Sequence, residues 1–548
     1  MTVSDRDIDN LLSNIIRLHP KSIDLGLSRT MDLLEKLDNP HNELSRIILF
    51  SGTNGKHSFG RYLQEIIKFN GKSTNHYSSP HLIRFAERFC INDQIINNED
   101  LFSSLDHVLK INKNNPASFF ELTTCAFFYA AVNKAPNVYA NLIEVGLGGR
   151  LDSTNCTTPY ITAINNIGYD HAEYLSNDIH AISFEKSGIT RKGVKCIIGK
   201  QSYPEAKQIL IDQCIHKGSP IKSYGDDWTI TEKGSHLIYE DNKNKISFKQ
   251  FHNSGDYQKY NLGLAIATAV ELEELNVKEF LDKNEHTKVY MPGRFNRLSK
   301  GKLLNHVNDT NEIIIDGCHQ SLGSKAFNKS LQKLKPKQVV LIVGMMANKS
   351  ASSFINEIEN LTTNDKRLFH SDDIQSLEDA FLAYSIDERT RSFVKIQDGC
   401  NYSCTYCTIP MARGKSRSPK INKVIDNIKK IELSNIQEVI LSGINVGDFG
   451  RGNNESFHEL LQAINKLTKV PRIRISSIEP NLITDKILEL IGNESRFMPH
   501  LHIPLQSGSN KILRKMKRKY TVEMYIKKIE QVKKIIPECT IGADIIVG

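Results

Sequence analysis

From residue 47 to residue 358 short apolar runs alternate with amphipathic stretches: RIILF, a glycine-containing turn, then RYLQEIIKF, and later NLIEV followed by a glycine-rich turn. Strand-length runs alternating with helical patterns at this spacing predict a parallel sheet covered by helices on both faces. Across residues 359–390 the pattern loosens into polar, acidic ENLTTNDKRLFHSDDIQSLEDAFLAYSIDERT with one weak helical signal, and a boundary belongs there. Beyond it, strand-like VKI, EVILSG, RIRISS and HLHIPL alternate with lysine-rich amphipathic segments such as KVIDNIKKIEL. That second β/α repeat begins near residue 389. No internal repeat or low-complexity tract interrupts either region, and the closing CTIGADIIVG reads as a strand entering a turn.

Composition adds limits. At roughly 150 residues per domain, 548 residues make three or four domains. Hydrophobic residues at 39% and charged residues at 24% describe folded protein and exclude a collagenous or wholly disordered chain. The longest apolar stretch, VVLIVGMMA, falls short of the ~20 residues that cross a bilayer, and MTVSDRDIDN lacks the basic start and apolar core of a secretory signal. A cytoplasmic chain with no membrane partner is expected. Seven of the ten cysteines are isolated, which predicts reduced thiols. A net charge of +9 permits a polyanionic partner, although lysine is spread along the whole chain rather than gathered on one face.

The first candidate chemistry follows the strand at residues 47–50. Gly52, Thr53, Asn54, Gly55, Lys56, His57 and Ser58 lead from it into a helix. Glycines let backbone N–H groups approach phosphate oxygens, a helix N-terminus adds partial positive charge, Lys56 supplies a full one, and a hydroxyl reaches Mg2+. One residue separates Lys56 from Ser58, which departs from the usual phosphate loop, and a glycine-rich turn with a lysine is also an ordinary loop.

Further words occur in a fixed order: SSPHLIRFAER, FFELTT, EVGLGGRLDSTN, IGYDHAEYL, EKSGI, MPGRF and IIIDGCHQ. Together they resemble the folylpolyglutamate and dihydrofolate synthases of the Mur ligase family, over about residues 11–354. The resemblance implies phosphorylation of a carboxylate by ATP and attack on the acyl phosphate by the amine of L-glutamate, with folate or dihydropteroate as acceptor. It implies that Ser58 and Glu144 hold Mg2+, that His171 binds a second magnesium, and that Lys186 is a carbamylated lysine, so that Lys56, Lys186 and His171 form the catalytic set. Asn261, Arg294, Asp316 and His319 would embrace the nucleotide with the loop residues, and Ser79 and Glu121 would lie on the substrate side. The chain departs from that family at His57 (usually Gly), Ala86 (Asn), Gln320-Ser321 (Asn-Pro) and Asn348 (Asp). Imidazole at 57 adds bulk where backbone meets phosphate.

The second candidate site is Cys400, Cys404 and Cys407, a C-x3-C-x2-C arrangement on a loop after a strand. Three thiolates can hold three irons of a four-iron, four-sulfur cluster and leave the fourth open to a small ligand. A closed zinc site wants a fourth ligand that does not follow at short range, and a disulfide leaves one thiol over. With GINVGDFG, RIRISSIEPN and HIPLQSGS, residues 369–548 resemble the radical SAM methylthiotransferases that modify tRNA beside the anticodon, nearest the branch acting on threonylcarbamoyladenosine. The resemblance implies a 4Fe-4S cluster, S-adenosylmethionine lined by Ser442, Gly443, Asn445 and Glu479, an electron donor, and tRNA as substrate. Arg413, Lys415, Arg417 and the basic run at residues 511–519 could meet tRNA phosphates, the run being equally a solvated helix face.

The expected architecture is α/β throughout. Residues 1–295 form a phosphate-loop-type, parallel-sheet, ATP-binding Mur-ligase-like domain, 296–358 a truncated small α/β domain, 359–388 a junction and 389–548 a partial radical SAM (β/α) barrel. The chain reads as a fusion or chimera of two truncated enzymes. The alternatives are that one half alone is active, or that the chain only binds nucleotide or tRNA.

Overall fold

The computed structural model describes residues 3–16, 18, 26–170, 172–251, 255–307, 311–334, 336, 339–344, 391–433 and 436–547. The chain divides into two compact units, residues 1–365 and 366–548. The expected junction at 359–388, His171 and Asn348 lie outside the described residues.

The first unit is built on eight strands: β1 (Ile47–Ser51), β2 (Thr74–Tyr77), β3 (Phe89–Ile91), β4 (Gln94–Ile95), β5 (Ala140–Glu144), β6 (Ile161–Ile164), β7 (Lys195–Ile198) and β8 (Ile221–Ser223). Their order is β4-β3-β2-β5-β1-β6-β7-β8. Pairing is parallel from β2 to β8, while β3 and β4 add an antiparallel edge. Successive strand side chains point to opposite faces, and β1 obeys this: Ile47 and Leu49 enter one apolar cluster, Ile48 and Phe50 another. Both faces are therefore buried, which is why RIILF and NLIEV read as continuous apolar runs rather than alternating ones.

An antiparallel sheet of β9 (Trp228–Lys233), β10 (His236–Asp241) and β11 (Lys245–Lys249) packs into the second cluster through Trp228, Ile230, Leu237 and Tyr239. Among the described residues, 296–334 supply β12 (Asn296–Arg297), a short 3-10 helix (Lys302–His306), β13 (Ile314–Ile315) and the helix Ser321–Leu334, around a core of Phe295, Phe327 and Leu331. The apolar run at 339–343 departs from the alternation: it forms no strand among the described residues, and Val340 and Ile342 are 81% and 93% exposed. A strand needs a neighbour to accept its N–H groups, and no described strand offers that ladder.

The second unit is a run of parallel strands: β14 (Arg391–Lys395), β15 (Glu438–Ser442), β16 (Arg472–Ile475), β17 (His500–His502) and β18 (Thr540–Gly542). Single bridges from Ile473 to Phe497 and from Ser477 to His502 join the two sheets. Helices Ile421–Glu432, Phe457–Leu467 and Asp485–Asn493 bury Ile425, Ile428, Leu460, Leu461, Ile487 and Leu488 against these strands. This is the expected partial (β/α) barrel. Among the described residues no helix is long and apolar enough to cross a membrane.

Candidate functional site

At the C-terminal end of β1 the chain turns through Gly52–Gly55 and enters the helix Lys56–Phe69, whose N-cap is Gly55 at φ 89° with no side chain capping it. The uncapped end presents N–H groups to an anion. Only glycine fits at 55, since a Cβ there would stand 2.2 Å from Asn261 Oδ1 and 2.5 Å from Asn165 Nδ2. The Thr53 and Asn54 N–H groups donate to the Asn166 carbonyl at 2.9 and 3.2 Å, and Thr53 Oγ1 donates to the Gly168 carbonyl at 3.0 Å, so the loop is tied to the segment after β6. Lys56 Nζ and Lys186 Nζ both donate to the Gly52 carbonyl, at 2.9 and 3.1 Å. Two ammonium groups thus converge on one oxygen beside the loop.

Glu144 ends β5 and is 2% exposed. Burial pushes its carboxyl up to about 7 against the opposing pull of Lys56 and Arg294, and its Oε2 has no hydrogen-bond partner. Ser58 is buried in the first turn of the helix and accepts from Gln258 Nε2 at 3.2 Å. A buried carboxylate with a free oxygen and a nearby hydroxyl, both lining one cleft, fit the oxygen-ligand preference of Mg2+. Lys186 is 5% exposed, and burial followed by the Lys56 charge pushes its amine down to about 7.

The proton on Glu144 competes with a metal ion, so the sign is fixed: magnesium affinity falls as pH falls through about 7. The magnesium-dependent gain in affinity for a fluorescent ATP analogue should drop roughly fivefold between pH 7 and pH 6, and Glu144→Gln should flatten the profile. An unchanged gain from pH 8 to pH 5.5 in the unsubstituted protein counts against Glu144 as a ligand.

The cleft has a volume of about 1640 Å3, and Ser79, Asn261, Arg294, Asp316 and His319 all line it. Asp316 acts as a brace there, accepting from the Tyr257 hydroxyl at 2.9 Å and from the N–H groups of Phe295 and Cys318 at 2.7 and 2.8 Å. His57 stacks on His76 with ring centroids 6.3 Å apart, and burial, then Arg294 and Arg61, push its imidazole down to about 4. It therefore adds a neutral ring to the cleft wall and no charge. Glu121 departs from its expected place: it lies outside the cleft lining, its carboxylate taken by Arg29 at 2.9 Å and by the Ser118 N–H at 2.6 Å as a helix capping box.

In the second unit Cys400, Cys404 and Cys407 follow β14, half-buried and free of disulfides. Burial raises the thiols of Cys400 and Cys404; the other two sulfurs add to the first, and the Arg518 charge opposes the second. The trio therefore lies close enough for mutual electrostatic influence. Among the described residues no three His, Cys, Asp or Glu side chains converge on a single-ion site. Three thiols on one loop can each serve one iron of a shared cluster, whereas a closed zinc site would want a fourth ligand.

The C-terminal ends of β15 and β16 bring Ser442, Gly443, Asn445 and Glu479 together. Gln397 Oε1 accepts from the Asn445 N–H at 3.0 Å and would stand 3.0 Å from a Cβ on Gly443, while the Glu479 N–H donates to Asn445 Oδ1 at 3.3 Å. Asn445 Nδ2, Asp448 Oδ2, Glu479 Oε2 and Arg518 Nε are buried without partners. Unpaired buried polar atoms at barrel strand ends are where a polar cofactor is expected.

Two readings of the basic residues change. Arg518 leaves the solvated run: its side chain is 6% exposed, pairs with Glu479 Oε1 at 2.7 Å and donates to the hydroxyl of Tyr406, a residue between Cys404 and Cys407 in the sequence, at 2.6 Å. Arg413 and Arg417 are spent on Asp398, each at 3.2 Å, leaving Lys415, Lys511, Arg514, Lys515, Lys517 and Lys519 exposed. Sequence reasoning also missed Gln258, which stands in no quoted word, and Asp448, which lies within GINVGDFG but was not singled out there.

Fold and site thus define two classes of unit in one chain: a phosphate-loop parallel-sheet unit with a buried, metal-ready carboxylate, and a β/α unit with a three-thiol loop. Residues 394–548 match the family model of the Radical SAM superfamily. Over 163 residues the chain is 41% identical to the threonylcarbamoyladenosine tRNA methylthiotransferase MtaB of Bacillus subtilis (strain 168), covering 29% of this chain and 36% of that protein. Over 357 residues it is 29% identical to the dihydrofolate synthase/folylpolyglutamate synthase of Haemophilus influenzae, covering 63% of this chain and 79% of that protein. The crystal structure of a bifunctional folylpolyglutamate synthase/dihydrofolate synthase with Mn, AMPPNP and L-glutamate bound superimposes with a TM-score of 0.56 at 24% identity, over 64% of this chain and 81% of that one. That last likeness is one of fold. The chain spans little more than a third of the methylthiotransferase and about four fifths of the synthase. Its amino-terminal part is similar to folylpolyglutamate/dihydrofolate synthases and its carboxy-terminal part to radical SAM tRNA methylthiotransferases, as in a fusion, and both groups of relatives are enzymes.

Proposed function

We propose that the first unit is an ATP-dependent ligase that adds L-glutamate to dihydropteroate or folate, and that the second holds a 4Fe-4S cluster and S-adenosylmethionine for 2-methylthiotransferase-type chemistry on tRNA beside the anticodon. The observation that carries the first reading is the cleft lined by Lys56 and Glu144, where Glu144 keeps an unpartnered buried oxygen and, behind the lining, Lys186 joins Lys56 on the Gly52 carbonyl. Phosphoryl transfer needs little from a protein beyond positioning and neutralisation of charge. Lys56 and the uncapped helix end would meet phosphate oxygens; Ser58 and Glu144 would hold Mg2+ and His171 a second magnesium; Arg294, Asn261 and His319 would face the nucleotide from the other walls. The phosphoryl group passes from ATP to the substrate carboxylate, the glutamate amine attacks that acyl carbon, and a C–N bond replaces the C–O bond as phosphate leaves.

In the second unit the cluster and S-adenosylmethionine, once bound and fed by an electron donor, supply one-electron chemistry that activates an adenine C–H bond. Cys400, Cys404 and Cys407 would ligate the irons, Asn445 and Glu479 would satisfy polar groups of S-adenosylmethionine, and the exposed lysines could meet phosphate. The ligase reading is tested on the full chain with ATP, Mg2+ and dihydropteroate or folate. Phosphate release that depends on added L-glutamate is expected, and silence at saturating concentrations of all four overturns it.

A further inference from the structure

Four hydrogen bonds run in one direction from the segment after β6 to the phosphate-loop helix. The Asn166 N–H donates to Asn165 Oδ1 at 2.9 Å, Asn165 Nδ2 to Asn261 Oδ1 at 3.1 Å, Asn261 Nδ2 to Gln258 Oε1 at 3.0 Å, and Gln258 Nε2 to Ser58 Oγ at 3.2 Å. The three amide side chains and Ser58 are buried. Reversing any one amide would set donor against donor or acceptor against acceptor, so the backbone N–H at the start fixes the sense of the whole chain. Aligned buried hydrogen bonds polarise one another. The same amides of Asn165 and Asn261 fill the space that a side chain at Gly55 would need, and the Asn166 carbonyl accepts from Thr53 and Asn54. One network therefore holds both the loop and its hydroxyl.

We propose that Gln258 is a positioning residue that sets the Ser58 hydroxyl for a metal ion. A serine in the first turn of a helix can turn its hydroxyl back onto a nearby backbone carbonyl. Donation from Gln258 Nε2 takes one lone pair of Oγ, leaving the other for a cation and the hydroxyl hydrogen free to donate to a phosphate oxygen. Gln258 lies behind the cleft lining, which Ser58 reaches, so it would act on a bound metal only through Ser58. The inference rests on the reading that the cleft takes a magnesium nucleotide.

The test measures the affinity of the full-length protein for a fluorescent ATP analogue in EDTA and in saturating Mg2+. Gln258→Met is expected to reduce the magnesium-dependent gain by roughly five- to tenfold, the worth of one hydrogen bond, while affinity in EDTA moves by less than about twofold. Ser58→Ala is expected to reduce the gain at least as far, and to weaken binding in EDTA as well because its hydroxyl also meets phosphate; the double variant should lose no more of the gain than Ser58→Ala alone, because Gln258 acts only through that hydroxyl. An undiminished gain in Gln258→Met, or a loss that sums with that of Ser58→Ala, overturns the assignment. Failure of the unsubstituted protein to bind the analogue at all refutes instead the nucleotide reading beneath it. Where Gln258→Met melts early, Ser58→Thr decides: its hydroxyl remains within reach of Gln258, so the gain must survive in Thr and fall roughly five- to tenfold or more in Ala, and any other pattern is fatal.

Discussion

Replacing Cys404 by alanine is expected to cut the iron retained after anaerobic reconstitution from about four atoms per chain to fewer than one, with loss of the brown absorption. Cys404 is the middle thiol of the trio and the one on which the Arg518 charge acts most directly, favouring the thiolate that binds iron. Its loop is also held from a distance, since the Thr405 N–H and hydroxyl donate to the carbonyls of Met516 and Lys515 at 3.3 and 3.2 Å. Two remaining thiolates would then have to hold an assembly that requires three. Cys539→Ala is the matched control: that thiol is buried in the core of the same unit, so its loss costs packing and leaves iron unchanged. Full iron in Cys404→Ala, or a colourless unsubstituted protein, removes the cluster from the account.

The two β/α regions were legible because period and run length are local properties. Ile47, Leu49 and their neighbours are apolar without interruption, and that alone signals a strand covered on both sides. The glycine turn and the three cysteines were legible for the same reason, each being a short word whose spacing carries the chemistry. What stayed hidden depends on partners remote in sequence. Arg518 sits in a run of lysines, and only Glu479 and Tyr406, brought to it by the fold, turn it from a surface cation into a buried one. Glu121 shows the opposite failure. Its S-x-x-E relation to Ser118 ahead of an apolar run is a capping-box signal, and the motif word around it says nothing of that local role. The run at 339–343 had every local mark of a buried strand, yet burial is decided by what lies alongside.

Lys186→Met is expected to lower glutamate-dependent phosphate release by at least about a hundredfold, while making the protein more resistant to heat at pH 7. Both effects follow from one geometry, an amine buried beside a second ammonium on the Gly52 carbonyl. Burial and Lys56 push the amine down to about 7, against the weaker support of Asp170 and Asp152. A lysine whose folded value lies below its unfolded one binds fewer protons folded than unfolded between pH 7 and about 10.5, so folding becomes more favourable as pH rises through that window. Below it the buried charge is a standing cost, and methionine removes that cost at similar volume. The same shift leaves much of the amine neutral above pH 7, the form that can add to CO2, losing a proton to become a carbamate anion. Ligase activity of protein depleted of CO2 should therefore rise on adding bicarbonate at pH 8, respond little at pH 6, and not respond at all in Lys186→Met. A methionine variant with unimpaired turnover, or one that unfolds more readily at pH 7 than the original, leaves Lys186 with no part in the chemistry and removes the reason for burying a cation there.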